Sequence, residues 1–210
     1  MFFEPRKGHD LPHDPFRAIV APRPIGWATS LSADGIVNLA PYSFFNGVSN
    51  YPPMVMISSE GIKDSITNIR DTGEFVVNLA TEALAQRMNE TSRAHPAHVD
   101  EFEPAGLTPA PCRLVRPPRV KESPAALECK VTSIVPLPDL DGDPGERLMA
   151  VGEVVGIHID ESCLKDGLFD MVAAGTIARC GYWDYARVTE LFQMPRPDLA
   201  EHKSYVRKDG

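Results

Sequence analysis

Residues 23–65 read RPIGWATSLSADGIVNLAPYSFFNGVSNYPPMVMISSEGIKDS. Apolar and small side chains alternate along residues 25–31, and Ala33-Asp34-Gly35 then has the composition of a hairpin turn into residues 36–40. After Pro52-Pro53, the run MVMIS is typical of a further strand. The pattern predicts neighbouring antiparallel strands that carry hydroxyl groups, aromatic rings and, just past their ends, a lysine.

The rest of the chain adds further strands and only a few short helices. The spacing predicts a helix carrying Ile66 and Ile69 that stops at Gly73, the strand EFVVNLA, a helix from Thr81 to about Asn89, a polar surface segment to Pro111, and strands at residues 125–135 and 148–159. These are about six strands, and the first ones are too close in sequence for parallel crossovers. We therefore expect a mainly β protein, a closed or partly open antiparallel barrel with attached helices.

The length and charge of the chain favour a single domain and argue against a nucleic-acid-binding protein. The 210 residues are interpreted as one domain, with an N-terminal arm at residues 1–14 and a C-terminal tail at residues 198–210. A net charge of −8 without a Lys/Arg cluster argues against nucleic-acid binding. No apolar run is long enough for a membrane span, and the N-terminus does not resemble a secretory signal, so we expect a cytoplasmic protein.

Several kinds of active site lack their sequence motifs. The chain contains no G-x-G-x-x-G, no P-loop and no G-x-S-x-G elbow. His95 and His98 have no partner at ligand spacing, so a metal site is not expected. The cysteines are at least 17 residues apart and are expected to be reduced and mostly buried; they are Cys112, Cys129, Cys163 and Cys180.

The segment SSEGIKDS is a candidate anion site. Ser58 and Ser59 end a predicted strand, Lys63 supplies a positive charge, and Asp64 or Ser65 begins a helix with free N–H groups. A phosphate group is a natural ligand for such a place. The alternative is that Lys63 is a solvated surface residue and Ser65 is an ordinary helix cap.

The aromatic run Tyr42 to Phe45 suggests what the rest of the ligand is. These residues leave a strand where Asn46-Gly47 starts a predicted loop, so one ring could flank a ligand, although packing in a core or an interface is the alternative. Thr29 and Ser30 lie on opposite faces of their strand, so at most one side chain easily meets a ligand. A molecule that is flat and apolar at one end and anionic at the other fits this mixture. We therefore hypothesise that flavin mononucleotide (FMN) binds here.

Several longer segments resemble the flavin reductase-like family of FMN-binding split-barrel proteins, sometimes called the flavoredoxin group. The similar segments are residues 23–58, then KDSITNIRDTGEFVVNLAT, then DEFEPAGLTPAP leading to PPRVKESPAALECKV, and finally RCGYWDYARV. They follow the family order from about residue 15 to about residue 197.

The resemblance implies a six-stranded antiparallel split barrel, a homodimer, and one FMN, with FAD as the alternative, per subunit near the interface. It implies a phosphate site with Arg23 as a second cation, and a segment with Arg179, Tyr182 and Tyr185 near the flavin. The residues implied along the ring and ribityl chain are Thr29, Ser30, Ala40, Pro41, Tyr42, Ser43, Phe44 and Phe45, and those implied at the phosphate are Ser58, Lys63, Asp64 and Ser65.

The implied activity is NAD(P)H-dependent flavin oxidoreduction, with hydride passing from nicotinamide C4 to flavin N5. Because the cofactor supplies the chemistry, no catalytic side chain is required. Reduced flavin would serve a monooxygenase or another acceptor. Two alternatives remain open: an FMN electron carrier that works with a protein partner, and a non-enzymatic flavin-binding module.

Overall fold

A computed structural model describes residues 1–194 of the chain. Its helices are α1 (Phe16–Ile19), α2 (Asp64–Thr72) and α3 (Ala85–Glu90), with 3-10 turns at Pro5–Lys7, Glu82–Leu84 and Glu161–Cys163. Its strands are β1 (Arg23–Pro24), β2 (Gly26–Leu31), β3 (Val37–Tyr42), β4 (Phe45–Asn50), β5 (Pro53–Glu60), β6 (Glu74–Leu79), β7 (Pro109–Ala110), β8 (Arg119–Val120), β9 (Ala125–Pro136), β10 (Arg147–Ile159), β11 (Leu164–Lys165), β12 (Leu168–Phe169), β13 (Ile177–Arg179) and β14 (Tyr185–Arg187). The predicted tail at residues 198–210 lies outside the described residues.

The main sheet has seven strands in the order β3-β2-β6-β9-β10-β5-β4. Every neighbouring pair is antiparallel. In the described chain the end strands β3 and β4 are not hydrogen-bonded to each other, so the sheet does not close. The prediction of a mainly β, antiparallel split barrel is confirmed, with seven strands in the sheet rather than six.

The first hairpin has the register that the sequence predicts. Ser32 N donates to Ile36 O at 2.8 Å, and Gly35 adopts a φ of +84°, which a turn at this position requires. The turn pairs Trp27 with Pro41 and Ala28 with Ala40. It therefore brings the residues of β3 beside the buried strand β2.

The structure corrects the prediction of a loop at Asn46-Gly47. Residues Phe45–Asn50 form β4, an edge strand paired with β5. The Asn46 side chain accepts from Gly47 N at 2.9 Å, and the pairing register shifts between Gly47 and Ser49. The turn-forming residues are thus accommodated in an irregular edge strand, where a bulge is tolerated.

Two apolar clusters hold the barrel and its attached helices. One surrounds the fully buried Trp27, and the other contains Phe75 together with Ile66 and Ile69 from α2. Because Ile66 and Ile69 are buried, α2 is fixed against the sheet and its N-terminus is held beside β3. Among the described helices, none combines the length and the apolar character that crossing a bilayer requires.

Candidate cofactor site

A cavity of about 660 Å³ lies between β3, the end of β5, the start of α2 and the segment that follows α3. We call it the main cavity. Nine of the twelve sequence-predicted site residues line it: Ala40, Pro41, Tyr42, Ser43, Phe44, Ser58, Lys63, Asp64 and Ser65. Chain segments up to 84 positions apart, from Arg17 to Glu101, therefore meet around one space.

The structure does not bring the other three predicted residues to this cavity. Thr29 and Ser30 are fully buried in β2, where Thr29 Oγ1 accepts from Asn78 Nδ2 at 2.9 Å and Ser30 Oγ accepts from Asn68 Nδ2 at 3.3 Å. Their hydroxyl groups are therefore used within the protein interior. Phe45 lines a separate apolar cavity of about 270 Å³.

The start of α2 forms the cationic end of the main cavity. Lys63 is the N-cap residue in an extended conformation, and no side chain in the described structure caps the first turn. The turn before it is held by Ser59 Oγ, which donates to Gly61 O at 2.8 Å. Lys63 makes no ion pair with any described residue. A free ammonium beside uncapped N–H groups favours an anionic ligand.

A buried hydrogen-bond chain fixes Ser65 at the cavity wall. Ser65 Oγ donates to Asn38 Oδ1 at 2.5 Å, and Asn38 Nδ2 donates to Glu101 Oε1 at 2.9 Å. Glu101 Oε2 also accepts from Leu39 N at 2.9 Å. Burial raises the pKa of Glu101 despite these hydrogen bonds, and burial also raises the pKa of Tyr42. Tyr42 thus presents a neutral phenol to the cavity at neutral pH.

Sequence reasoning missed one further wall of the main cavity. Arg17, Arg93 and His95 line this wall, and His95 Nε2 is buried with no hydrogen-bond partner among residues 1–194. Arg17 reaches Glu60 at 3.5 Å and Arg93 reaches Glu90 at 3.0 Å, both near the surface. The available signal was the grouping of hydroxyls and cations in TSRAH, which follows α3 and was interpreted as surface chain.

A second polar cavity, of about 340 Å³, adjoins the main one. The two share Arg17, Pro41, Ser43 and Ser92. We call it the arginine cavity, because its wall also contains Arg23 and Arg179, together with the aromatic residues Tyr182, Trp183 and Tyr185. Arg23 thus lines this cavity rather than the main one, where the resemblance had implied a second cation for the phosphate.

The fold and site agree with the family found by comparison. Residues 18–173 match the family model "Flavin reductase like domain", and the chain belongs to this family. The resemblance inferred from the sequence is thereby confirmed. An uncharacterized protein of Aquifex aeolicus is 41% identical over 155 residues, which are 71% of this chain and 76% of that protein.

Two solved structures share most of this chain's fold. Nitrilotriacetate monooxygenase component B from Bacillus cereus is 29% identical with a TM-score of 0.84, and the match covers 92% of this chain and 98% of that one. The 2-nitrobenzoate 2-nitroreductase of Pseudomonas fluorescens is 29% identical with a TM-score of 0.77, covering 90% and 92%. The chain is a flavin reductase-like split-barrel protein, and its neighbours support flavin binding.

Proposed function

We propose that the protein is an FMN-dependent oxidoreductase that accepts hydride from NAD(P)H. The observation that carries the proposal is the polarity of the main cavity. This cavity combines Lys63 and the uncapped start of α2, beside which Tyr42 lies close to Ser59 and Ser65, with the aromatic ring of Phe44. A phosphate suits the start of α2 and an isoalloxazine ring suits the aromatic wall.

The donor set of the cavity fits a flavin phosphate. Ser58 offers a hydroxyl group, Lys63 offers an ammonium, and His95 Nε2 is a buried polar atom that lacks a partner within the described residues. Charge-assisted contacts of this kind bind phosphate strongly. FAD would present an internal pyrophosphate in place of the terminal phosphate of FMN, together with a larger nucleotide, so its affinity is to be measured beside that of FMN.

This chain's own residues are proposed to bind and orient. Lys63 and the α2 N–H groups hold the phosphate, and the Ser65–Asn38–Glu101 chain holds the first turn of α2 against β3. Phe44 flanks the apolar part of the ligand and excludes water from it. When bound, FMN would supply hydride acceptance at N5 and onward electron transfer. No side chain is proposed as a proton donor or base.

A homodimer is proposed with this function. Around the apolar cavity, Ile157, Ile159 and Leu168 are 59%, 43% and 66% exposed. A second copy covering them would remove apolar surface from water. Analytical ultracentrifugation should give a dimer for the native chain and a monomer for Ile157→Lys, whereas a monomeric native chain contradicts this part of the proposal.

The test is reduction of the bound flavin. The purified protein is loaded with FMN and mixed anaerobically with NADH or NADPH, and the absorbance near the flavin band is followed by stopped flow. We expect rapid bleaching with at least one of the two dinucleotides and no added protein. Bleaching that requires a partner protein would favour the electron-carrier alternative. A chain that does not bind FMN at all would favour the non-enzymatic module.

The two similar structures suggest different electron acceptors. The component B neighbour supports release of reduced flavin to a monooxygenase, while the nitroreductase neighbour supports direct reduction of a nitroaromatic compound. Steady-state assays with excess free FMN and with 2-nitrobenzoate separate the two. If the rate of dinucleotide consumption depends on free FMN, the flavin is released as a product. If the rate depends on 2-nitrobenzoate, the flavin stays bound and reduces the nitro compound.

A further inference from the structure

Two arginines face each other in the small sheet beside the main cavity. β1 pairs antiparallel with β13, and Arg23 stands directly opposite Arg179. Like charges at directly opposed positions of an antiparallel pair are destabilising. Across residues 1–194, neither guanidinium forms an ion pair with a carboxylate. Within residues 1–194, no carboxylate therefore offsets this repulsion.

Arg23 is the more constrained of the two. It is 6% exposed, its guanidinium donates to the carbonyl oxygens of Arg17, Val20 and Cys180, and its Nε is buried without a partner among the described residues. Burial, followed by the charges of Arg179 and Arg17, lowers its pKa. A buried cation without an opposite charge is costly, and an anionic ligand would remove that cost.

The arginine cavity has the space and the apolar surface for an organic anion. Its volume is about 340 Å³, and Trp183, at its wall, is 88% exposed. The Arg179 guanidinium lies over the Tyr185 ring at 4.6 Å from the centroid and donates to Tyr182 O, which orients it. Because Pro41 and Ser43 belong to both cavities, a ligand here would lie beside the occupant of the main cavity.

We propose that Arg23 and Arg179, together with Arg17, form an oxyanion subsite for the second substrate, the compound that exchanges electrons with the flavin. The anion is a phosphate or a carboxylate, since a guanidinium binds both in the same planar, two-pronged manner. The phosphate would belong to a nicotinamide dinucleotide, and the carboxylate to an aromatic acid that packs on Trp183. The inference rests on the proposed function for the identity of the substrate, but the subsite itself binds anions without flavin.

The experiment compares Arg179→Gln with Arg187→Gln. Arg187 lies on the neighbouring strand β14, outside both polar cavities, and pairs with Glu82 at 2.6 Å, so it is a matched control. Steady-state kinetics of FMN-loaded protein are measured with the reducing dinucleotide, and benzoate is tested as an inhibitor. We expect Arg179→Gln to raise either the dinucleotide KM or the benzoate inhibition constant by about 10- to 100-fold with kcat within about twofold, and Arg187→Gln to change neither.

The two readouts identify the source of the anion. A change in the KM alone assigns the subsite to the dinucleotide phosphate, and a change in benzoate inhibition alone assigns it to an aromatic carboxylate. If neither changes, the inference is overturned. If instead the FMN dissociation constant rises in Arg179→Gln, these arginines hold the flavin's own phosphate, which also overturns the inference.

A direct binding measurement separates this inference from the proposed function. Isothermal titration of pyrophosphate and of benzoate into flavin-free protein needs no activity. If Arg179→Gln weakens the binding of either probe and Lys63→Ala does not, the subsite is supported even if FMN reduction fails. If binding depends only on Lys63, the anion belongs to the main cavity and the subsite is contradicted. Should Arg179→Gln fail to fold by circular dichroism, Arg179→Lys, which keeps the charge but not the planar guanidinium, is measured in its place, and unchanged binding there counts against the inference.

Discussion

The protein buries two glutamates, Glu128 and Glu101, whose pKa values are shifted in opposite directions by their surroundings. Glu128, on β9, is 1% exposed. Its carboxylate accepts from the backbone N–H groups of Arg113, Leu114 and Val115 at 2.6–3.1 Å and contacts His158 Nε2 at 2.5 Å. Burial raises the pKa of Glu128, but these hydrogen bonds outweigh it and leave the pKa lowered. In this region the chain satisfies its own buried charge.

The region around the two polar cavities does not satisfy its buried and charged groups in this way. Glu101 accepts two hydrogen bonds, and burial still leaves its pKa raised. Nearby, Lys63, Arg23 and Arg179 have no carboxylate partner in the described structure, and His95 Nε2 has no partner either. Buried polar groups are normally paired, so the unpaired Nε2 of His95 and Nε of Arg23 favour a ligand at these cavities, while Arg119 Nε and Thr176 Oγ1 are also unpaired elsewhere in the described structure. The difference separates a structural cluster from a binding site.

The same reasoning applies to the metal-like grouping around Glu128. The ligand atoms of Cys112, Glu128 and His158 lie within 4.8 Å of one another. Both Glu128 oxygens, however, already accept backbone N–H groups. Burial, followed by the charge of Glu128, raises the pKa of the Cys112 thiol to about 11, which keeps the sulfur protonated at neutral pH. This cluster is a hydrogen-bonded anchor for residues 113–115. All four cysteines of the chain lie in the described region and are free thiols.

The largest predicted effect is on stability and comes from Glu128→Gln. An amide offers one acceptor oxygen where the carboxylate offers two, so at least one buried N–H group loses its partner. We expect the free energy of unfolding to fall by about 3 kcal/mol in urea titrations. FMN affinity of the folded variant should be unchanged. The exposed Glu146→Gln is the control, and an equal loss there would contradict a special role for Glu128.

The next largest effect is on ligand binding and comes from Lys63→Ala. Loss of the charge-assisted contact should weaken FMN binding by about 1–3 kcal/mol, or roughly 5- to 150-fold, with unfolding free energy nearly unchanged. The exposed Lys121→Ala is the matched control. Fluorescence titration of FMN measures the affinity. Unchanged affinity in Lys63→Ala would remove this lysine from the site and weaken the contrast between the two regions.

A smaller effect is the pH dependence of stability, which has opposite signs at the two glutamates. The pKa of Glu128 is lowered, so its stabilisation is present above the usual glutamate pKa, about 4.3, and is lost as pH falls through the folded value. The pKa of Glu101 is raised, so its stabilisation is present below the usual pKa and is lost as pH rises through the folded value.

Urea unfolding of the native chain and of each glutamine variant across the acid range checks these signs. Relative to the native chain, Glu128→Gln should lose less stability on acidification. As pH rises above the usual glutamate pKa, the native chain should lose stability because Glu101 ionises, and Glu101→Gln should lack this loss. Identical pH profiles for the two variants would show that both glutamates belong to one kind of region.

The smallest effect is expected at the surface. Arg187 pairs with Glu82, and their side chains are 48% and 58% exposed. Exposed ion pairs contribute little, so Arg187→Gln should change the free energy of unfolding by less than about 1 kcal/mol. A larger loss by urea titration would mean that the β13–β14 hairpin depends on this pair, and Arg187→Gln would then no longer serve as the control for Arg179→Gln.

Local signals account for what could be predicted. The hairpin of β2 and β3 was predictable because its turn and its alternation lie within one short stretch. The helix α2 was predictable from the spacing of Ile66 and Ile69 and from Gly73, whose φ of +72° ends it. The helix predicted from Thr81 to about Asn89 is present as a 3-10 turn followed by α3. Thr81 occupies the N-cap position without a side-chain cap hydrogen bond, and its backbone bridges Thr176, a partner 95 residues away.

The sequence by itself determined the antiparallel barrel, the family and most of one cavity wall, because these depend on residues close together in the chain and on an extended family pattern. Tertiary structure alone decided that Arg23 faces Arg179, 156 positions later, and that Glu101 lies under Asn38. Such contacts follow from how the whole core packs, and they leave no local pattern to detect. The same packing buried Thr29 and Ser30 away from the main cavity, since β2 is covered on both of its faces.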